Sequence, residues 1–208
     1  MRNKLHVLIL FLLVASSMLA ACGGGDDKEP EKKKEKWETI NLPQSIKADT
    51  GISLQIPEGW SGIATSGDIR IGNTEEVLNL LVFGGFSDPA PDQFGMMVID
   101  IGLVKDKAAE MGLAENASLK EVAHTMTQSM IAGEGASIAG DISTLKLGGH
   151  PAASATVQDA NAQTIGMYIY VDIDGMLIVA GGVGAPGELD KFKDSALAIA
   201  ASIKYEPA

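Results

Sequence analysis

The sequence predicts an α/β protein of the α/β/α sandwich type, in which a mainly antiparallel sheet of about six to seven strands is flanked by helices. Two observations predict this class. The connections between the late strands are too short for the crossover helices that a parallel sheet requires. The segment from Met176 to Ala180 is apolar at every position, and such a strand needs cover on both faces of its sheet.

The strands are predicted from alternating apolar residues and from turn signals. Ile52, Leu54 and Ile56 alternate in the first strand, which Pro57 ends. Asp174-Gly175 is a strong signal for a tight hairpin between the last two strands. The other predicted strands are "DIRIG", "EVLNLLVFGGF", "MMVIDIGL", "SIAGDISTLKL", "PAASATVQ", "TIGMYIYVDI" and "MLIVAGG".

Three segments are predicted as helices. "SLKEVAHTMTQSMIAG" begins with Ser118 and Glu121, which form a capping box, and Gly133 closes it. "KDKAAEMG" predicts a short helix and "GELDKFKDSALAIAASIK" the final one. The residues predicted to face the core are Leu119, Val122, Ala123, Met126 and Met130 in the first, and Leu189, Phe192, Ala196, Ile199, Ala200 and Ile203 in the last.

Residues 1–21 have the pattern of a secretory signal peptide. Arg2 and Lys4 give a basic start, and an apolar run follows that ends in small residues. The run is about 17 residues long, at the lower limit for spanning a bilayer, so removal after export is favoured over a permanent membrane helix.

Leu19-Ala20-Ala21-Cys22 resembles the lipobox of bacterial lipoproteins. The resemblance implies that a diacylglycerol is attached to the Cys22 thiol and that the chain is cut just before it. The alternative is an ordinary signal peptide with a chance cysteine at its end. Two or more acyl chains, such as palmitate, hold a protein stably on a membrane, whereas one holds it weakly. Lipidation at Cys22 would therefore anchor the protein to the extracytoplasmic face of a bacterial membrane, in the cell envelope.

Residues 22–36 are predicted to be a lipidated cysteine followed by a disordered charged linker, because Asp26 to Lys36 carries five acidic and five basic side chains around Pro30. Residues 37–208 form the predicted globular domain. This domain has no cysteine, so it folds without an internal disulfide.

The predicted domain is strongly acidic. Residues 37–208 contain 9 Lys and Arg against 22 Asp and Glu, a formal net charge of −13. Such a domain repels nucleic acid and anionic lipid at long range, which excludes a nucleic-acid partner. The same charge would attract a basic protein surface or a cation, although it also serves solubility.

Three segments resemble the PsbP-like fold: "GISLQIPEGW", "LKLGGHPAASATV" and "MLIVAGG" with the following "FKDSALAIAASIKYE". The resemblance spans roughly residues 48–206 and implies an α/β/α sandwich. The family includes an extrinsic subunit of the photosynthetic oxygen-evolving complex, a stimulator of nucleotide release from a small GTPase, and many bacterial lipoproteins. Known members act mostly by binding other proteins, and none of their interface residues aligns with an identifiable position in this chain.

Signatures of catalysis or of cofactor binding are incomplete. Gly182-x-Gly184-x-x-Gly187 matches a dinucleotide fingerprint, but the preceding strand belongs to a hairpin and no second strand can follow. His124 is predicted to be solvated, His150 to precede a strand, and no nucleophile motif accompanies either. The sequence therefore predicts no enzyme, no catalytic residues and no cofactor.

Carboxylates are the remaining candidates for a cation site. Asp88 and Asp92 flank a proline-rich loop, and Asp172 and Asp174 border the hairpin, with Asp159 as a candidate neighbour. Calcium needs several oxygen ligands at once, and the distal bidentate glutamate of a calcium loop is missing. A plain hairpin turn is favoured at this position, and no metal ligand is predicted.

Aromatic and sulfur-containing side chains can serve the core or a surface. Tyr168 and Tyr170 share one face of a strand and either pack under a helix or present a contact surface, and the predicted sandwich favours the core. The methionines, including Met96-Met97, could bind a soft metal, but core filling explains the helical ones. Trp60 is a further candidate for either role.

Together these patterns predict a membrane-anchored lipoprotein that acts as a non-enzymatic accessory or adaptor and binds a membrane-associated protein. The alternative is an extracytoplasmic protein that binds a cation or a small ligand on its acidic surface.

Replacing Cys22 with alanine removes the only acylation site that the sequence offers. We expect the Cys22→Ala protein to leave the membrane fraction, as measured by fractionation and immunoblotting of cells that express either form. A variant that still sediments with membranes after a high-salt wash would show that the anchor prediction is wrong.

Overall fold

The computed structural model describes residues 35–84, 86 and 88–207. The predicted signal peptide, Cys22 and the linker as far as residue 34 lie outside these residues. The described chain contains an eight-stranded sheet, a three-stranded sheet and four α-helices, and every strand pairing in it is antiparallel. The predicted fold class, a mainly antiparallel sheet flanked by helices, is confirmed.

The elements follow one another closely along the chain. A short 3-10 helix, Lys36–Thr39, comes first. The strands are β1 (Gln44–Lys47), β2 (Ile52–Ile56), β3 (Ser61–Ala64), β4 (Asp68–Gly72), β5 (Phe94–Leu103), β6 (Ser137–Ile138), β7 (Ser143–Leu147), β8 (His150–Gln158), β9 (Thr164–Ile173), β10 (Met176–Gly184) and β11 (Lys204–Tyr205). The helices are α1 (Glu75–Phe83), α2 (Val104–Glu110), α3 (Leu119–Met130) and α4 (Leu189–Ala201).

The large sheet has the strand order β3-β4-β5-β10-β9-β8-β6, and β7 also pairs with β8. The small sheet has the order β1-β2-β11. The central strand β10 buries both of its faces, as its uniformly apolar sequence predicts. Ile178 and Ala180 point into one core, and Leu177 and Val179 into the other.

The two faces of the large sheet are covered in different ways. On the inner face, α4 and strand β2 of the small sheet contribute Ile199 and Leu54 to the core. On the outer face, α2 and α3 contribute Ala108 and Val122. Cover on the inner face is therefore shared between one helix and a small sheet, whereas the sequence predicted helices alone.

The prediction of a strand at "EVLNLLVFGGF" is wrong, because residues 75–83 form helix α1. The segment is apolar at almost every position, so it lacks the period that distinguishes a helix from a buried strand. Its ends carry the helix signals. The Thr74 hydroxyl accepts the Val77 N–H at 3.2 Å, and Gly84 ends the helix in the left-handed conformation with φ 78°.

The segment "SIAGDISTLKL" is two strands and not the single one predicted. Both β6 and β7 pair with β8, and Gly140 lies between them at a φ of 70°. The left-handed glycine turns the chain, and Ile142 then enters the outer-face core. Three strands, β1, β3 and β11, were not predicted.

The predicted linker ends earlier than residue 36. Lys36 begins the 3-10 helix, and its Nζ lies 2.7 Å from an Asp194 carboxylate oxygen on α4. Trp37 packs against the inner-face core. An aromatic side chain next to the charged run therefore fixes its last residues to the domain.

Helix α3 has the capping box predicted for it. The Ser118 hydroxyl accepts the Glu121 N–H at 3.3 Å, and Glu121 accepts the Ser118 N–H at 2.8 Å. Val122 and Ala123 are buried as predicted, but Met130 is 40% exposed, so its assignment to the buried stripe is wrong. Thr127, which the pattern did not single out, is fully buried.

A buried hydrogen bond joins α3 to the sheet. The hydroxyl groups of Thr127 and Tyr170 lie 2.7 Å apart, and both residues are 0% exposed. Burial is the main cause that raises the pKa of the Tyr170 phenol above its ordinary value of 10.0. Because the unfolded phenol releases its proton first, the free energy of unfolding falls as the pH rises above that value.

We expect Thr127→Val to lower the free energy of unfolding by about 1–3 kcal/mol, because it leaves the Tyr170 hydroxyl buried without a partner. Tyr170→Phe removes the phenol oxygen instead. The double variant should lose less than the sum of the two single losses, by about 0.5–2 kcal/mol. Urea unfolding of the four proteins measures this coupling, and strictly additive losses would contradict the proposed role of the bond.

Candidate binding surface

Most of the exposed large apolar side chains lie together on the outer face. The described residues have six such side chains. Ile63, Met97 and Val183 lie on the outer face of β3, β5 and β10, and Phe83 lies at the end of α1. Phe83 is the most exposed at 84%, and the other three are 42–45% exposed. Contiguous apolar surface of this kind is typical of interaction sites, whereas scattered exposed residues are ordinary.

Strand register places the side chains of the strand residues next to one another. Ile63 lies opposite Arg70, Arg70 opposite Met97, Met97 opposite Gly181, and Gly181 opposite Tyr168. Neighbouring strands are about 4.8 Å apart, so this row crosses five strands of the outer face. Val183 lies on the same face one row further along β10, opposite Gly95 and Gly166. We call Ile63, Phe83, Met97, Tyr168 and Val183 the outer-face strip.

Two glycines allow close approaches near the centre of the strip. The Tyr168 ring leans over Gly181, where an added Cβ would lie 3.0 Å from the Tyr168 Cε1 atom. An added Cβ on Gly166 would lie 2.8 Å from the Gly182 carbonyl oxygen. The missing side chain at Gly181 therefore makes room for the Tyr168 ring beside Met97.

The charge of Arg70 is neutralised within the domain. Its guanidinium donates to both oxygens of Asp68, with Nε to Oδ1 at 3.1 Å and Nη2 to Oδ2 at 3.2 Å. Nη1 donates to the Leu81 carbonyl at 2.9 Å, at the C-terminal end of α1, where a cation also interacts favourably with the helix dipole. The ion pair of Asp68 and Arg70, which lies between Ile63 and Met97, is therefore satisfied within the domain, and the accessible groups of the strip are mainly apolar.

Asp172 and Asp159 accept hydrogen bonds from the backbone of their own turns. Asp172 Oδ1 accepts the Gly175 N–H at 2.8 Å, and Asp174 and Gly175 are both left-handed, with φ values of 52° and 89°. Asp159 likewise accepts the N–H groups of Asn161 and Gln163, each at 2.8 Å. Nowhere in residues 35–84, 86 and 88–207 do three His, Cys, Asp or Glu side chains group as a metal site requires.

The aspartates that flank the proline-rich loop, Asp88 and Asp92, differ in their contacts. Asp88 is exposed, and Asp92 clamps its loop to α4. The Asp92 N–H donates to Glu188 at 2.6 Å, and Lys191 Nζ donates to Asp92 Oδ1 and to Glu188 Oε1, each at 2.7 Å. The hydrogen bond from the Asp92 N–H is the largest cause that lowers the pKa of Glu188, and bonding to Asp92 and Glu188 raises the pKa of Lys191.

The glycine fingerprint serves packing. Gly182 and Gly184 lie within β10, and an added Cβ on Gly182 would lie 2.4 Å from the tip of the Phe94 ring. Phe94 stacks on Phe192 with ring centroids 5.1 Å apart, and Trp60 lies 5.9 Å from Phe94. Only Gly187, with φ 80°, is a turn glycine. The glycines make room for an aromatic cluster on the inner face, which includes Trp60.

The histidines lie apart from the strip and from each other. His124 is exposed on α3, as predicted, beside a polar groove that Lys120 and Asp141 also line. His150 is the first residue of β8 and is half-buried.

The strip is only partly recognisable in the sequence. Tyr168 and Tyr170 share a strand face, yet Tyr170 is buried under α3 and Tyr168 is partly exposed at the edge of the strip. Met96 is buried and Met97 is 42% exposed, which follows from strand alternation. Ile63, Phe83 and Val183 were not singled out. Strand alternation in β3 and β10 predicts which sheet face carries Ile63 and Val183. It does not show that no helix covers this face.

Comparison with known proteins gives likenesses of fold only. Neither a protein-family model nor a curated protein matches the sequence. Cyanobacterial PsbP (CyanoP) from Synechocystis is similar over 90% of this chain and 99% of its own, with 15% identity and a TM-score of 0.48. LpqN, involved in cell envelope biogenesis of Mycobacterium tuberculosis, is similar over 79% of this chain and 91% of its own, with 17% identity and a TM-score of 0.48.

A third solved structure, a protein of unknown function from Pseudomonas aeruginosa, is similar over 75% of this chain and 92% of its own, with 10% identity and a TM-score of 0.43. All three TM-scores are below 0.5, so nothing about family membership, partners or activity follows from these likenesses. In the part of the chain that the structure describes, no helix is both long and apolar enough to cross a membrane.

We expect the clamp between Glu188, Asp92 and Lys191 to stabilise the fold above the ordinary pKa of Glu188, which is 4.5. Because the folded state lowers this pKa, the contribution is present above 4.5 and is lost as the pH falls through the folded value. Glu188→Gln should therefore lower the urea midpoint near pH 7 and flatten its decline toward about pH 3. As a control, Glu115→Gln removes an exposed carboxylate that makes no hydrogen bond with any described residue. Equal changes in both variants would contradict the clamp.

Proposed function

We propose that this protein is a lipid-anchored protein of the cell envelope, and that it acts as a non-enzymatic adaptor by binding a membrane-associated protein. The observation that carries the proposal is the outer-face strip, an exposed apolar surface on a domain that is otherwise highly charged. Its side chains include methionine, phenylalanine and tyrosine, and such side chains are enriched where proteins meet.

Anchoring would give this surface access to its partner. The lipid at Cys22 would confine the domain to one membrane, and the linker that the sequence predicts, about 12 residues up to residue 34, would reach roughly 20 Å root-mean-square from it as a flexible chain. Confinement raises the effective concentration of the strip near proteins of the same membrane. A weak contact of moderate area would then suffice for binding.

The alternative, binding of a cation by the acidic surface, has less support from the geometry. Asp172 and Asp159 accept hydrogen bonds from their own turns, and Asp92 pairs with Lys191. Occupied carboxylates of this kind would have to give up these bonds to coordinate an ion.

We expect the double variant Met97→Asp/Val183→Asp to lose the partner. The native protein would be captured from gently solubilised membranes, and what comes with it identified by mass spectrometry. A stoichiometric membrane protein should accompany the wild-type chain and fall by about tenfold or more with the double variant, because two charges would have to be buried at the contact. The Cys22→Ala protein should retain less of it.

Leu103→Asp is the matched control. Leu103 is 37% exposed at the far end of β5 from the strip, so the same kind of substitution is made on the same strand outside the proposed surface. Thermal unfolding of all variants verifies the fold. Capture of no membrane protein by the wild-type chain, or equal loss with Leu103→Asp, would contradict the proposed function.

A further inference from the structure

We infer that the partner segment is a short amphipathic helix with a basic flank, which occupies a vacant helix position over the outer face of strands β5, β10 and β9. The inference rests on the proposed function and names the chemistry of its partner. Three observations carry it: the spacing of the outer-face helices, the side chains left exposed between them, and the charges beside the gap.

The spacing of α1 and α3 leaves room for one helix. Helix α1 packs chiefly on β4, and α3 packs chiefly on β8. Four strand-to-strand steps, through β5, β10 and β9, separate β4 from β8. At about 4.8 Å a step the separation is about 19 Å, and packed helices lie about 8–10 Å apart. Two such spacings fit between α1 and α3, so one helix position lies between them.

Helix α2 fills only one end of this position. It has 7 residues and is about 10 Å long, whereas β5 has 10 residues and is about 33 Å long. The Val104 N–H donates to the Gly175 carbonyl at 2.9 Å, which holds α2 beside the hairpin of β9 and β10. About 20 Å at the other end remains without a helix, and Met97, Gly181, Val183 and Tyr168 lie there.

The open part of the gap is lined by apolar side chains. Met97, Tyr168 and Val183 form the floor, and the Leu81 and Phe86 side chains, which lie over Gly95, bound it on the α1 side. Helix α3 begins near the hairpin, where Ala117 and Gly175 line one groove, and its Thr127 reaches Tyr170. Its last turn, with the 40% exposed Met130, therefore lies on the other side at the level of Tyr168. A helix in this gap would bury apolar contacts on its floor and on both sides.

The charges beside the gap favour a basic partner. Glu75 and Glu76 begin α1, are exposed, and form no ion pair with any described residue. They line an outer groove of α1 that ends at Phe83. Helix α1 carries no Lys or Arg, and Asp68 neutralises Arg70. A Lys or Arg on the flank of the bound helix would meet these carboxylates, whereas anionic lipid would be repelled.

The test uses two synthetic helical peptides of about 14 residues, a length of about 21 Å. Both carry leucines along one face with a benzophenone among them. One has lysines on its flanks, and the other has glutamates. The full lipidated protein is held in phosphatidylcholine nanodiscs, empty nanodiscs give the background, and photo-crosslinked residues are mapped by mass spectrometry.

We expect the lysine peptide to crosslink to Met97 or Tyr168 and the glutamate peptide to crosslink about tenfold less. Met97→Asp/Val183→Asp should abolish crosslinking at the strip. Glu75→Lys/Glu76→Lys should reduce crosslinking of the lysine peptide by about fivefold or more and increase crosslinking of the glutamate peptide. The control Glu58→Lys/Asp190→Lys makes the same charge change at two exposed residues outside the outer face and should change neither peptide.

Several outcomes would overturn the inference. Equal crosslinking by both peptides, an equal effect of the control charge reversal, or crosslinks on the inner-face layer would each exclude a basic helix at the strip. Sedimentation that shows a wild-type dimer and a Met97→Asp monomer would identify a second copy as the occupant. Labelling of Met97 by a photoactivatable phosphatidylcholine, without peptide, would identify the membrane.

Failure of the inference differs from failure of the proposed function. If membrane capture yields a partner that the strip variant loses, but neither peptide binds, the adaptor function stands and the partner is not a basic helix. If capture yields no partner, the adaptor function fails whatever the peptides do.

Discussion

The burial of strand β10 on both faces is the constraint on which the rest of the structure depends. Leu177 and Val179 need one covering layer, and Ile178 and Ala180 need another. An antiparallel sheet joined by tight hairpins has no crossover helices to supply these layers, so they come from segments before and after the central strands. Helix α4 and the small sheet cover the inner face, whereas α1, α2 and α3 cover the outer face only in part.

Close approach across the sheet explains the glycine-rich sequence of β10. Gly182 admits the Phe94 ring on the inner face, and Gly181 admits the Tyr168 ring on the outer face. The same run of residues therefore makes room for an aromatic ring on each face of the sheet. The glycine pattern that matches a dinucleotide fingerprint is here a consequence of aromatic packing, because Gly182 and Gly184 lie inside strand β10.

Charge and apolar surface are separated on this domain. Residues 37–208 carry a formal net charge of −13, yet the charged groups at the centre of the outer-face strip, Asp68 and Arg70, neutralise each other. Repulsion between copies of this acidic domain favours solubility. The uncovered strip remains available for a basic partner, which the domain attracts. The acidic net charge and the apolar strip together restrict the partners of this face to those that are both apolar and basic.

The sequence by itself determined the fold class, the capping box of α3, the two-sided burial of β10 and the hairpin at Asp174, because each depends on local spacing. It did not determine helix α1, since an apolar segment without a period fits a helix or a strand and tertiary packing on β4 decides between them. Only the tertiary structure separated Tyr168 from Tyr170. The two share a strand face, and whether a helix covers each one depends on where α2 ends and where α3 lies, which no local pattern encodes.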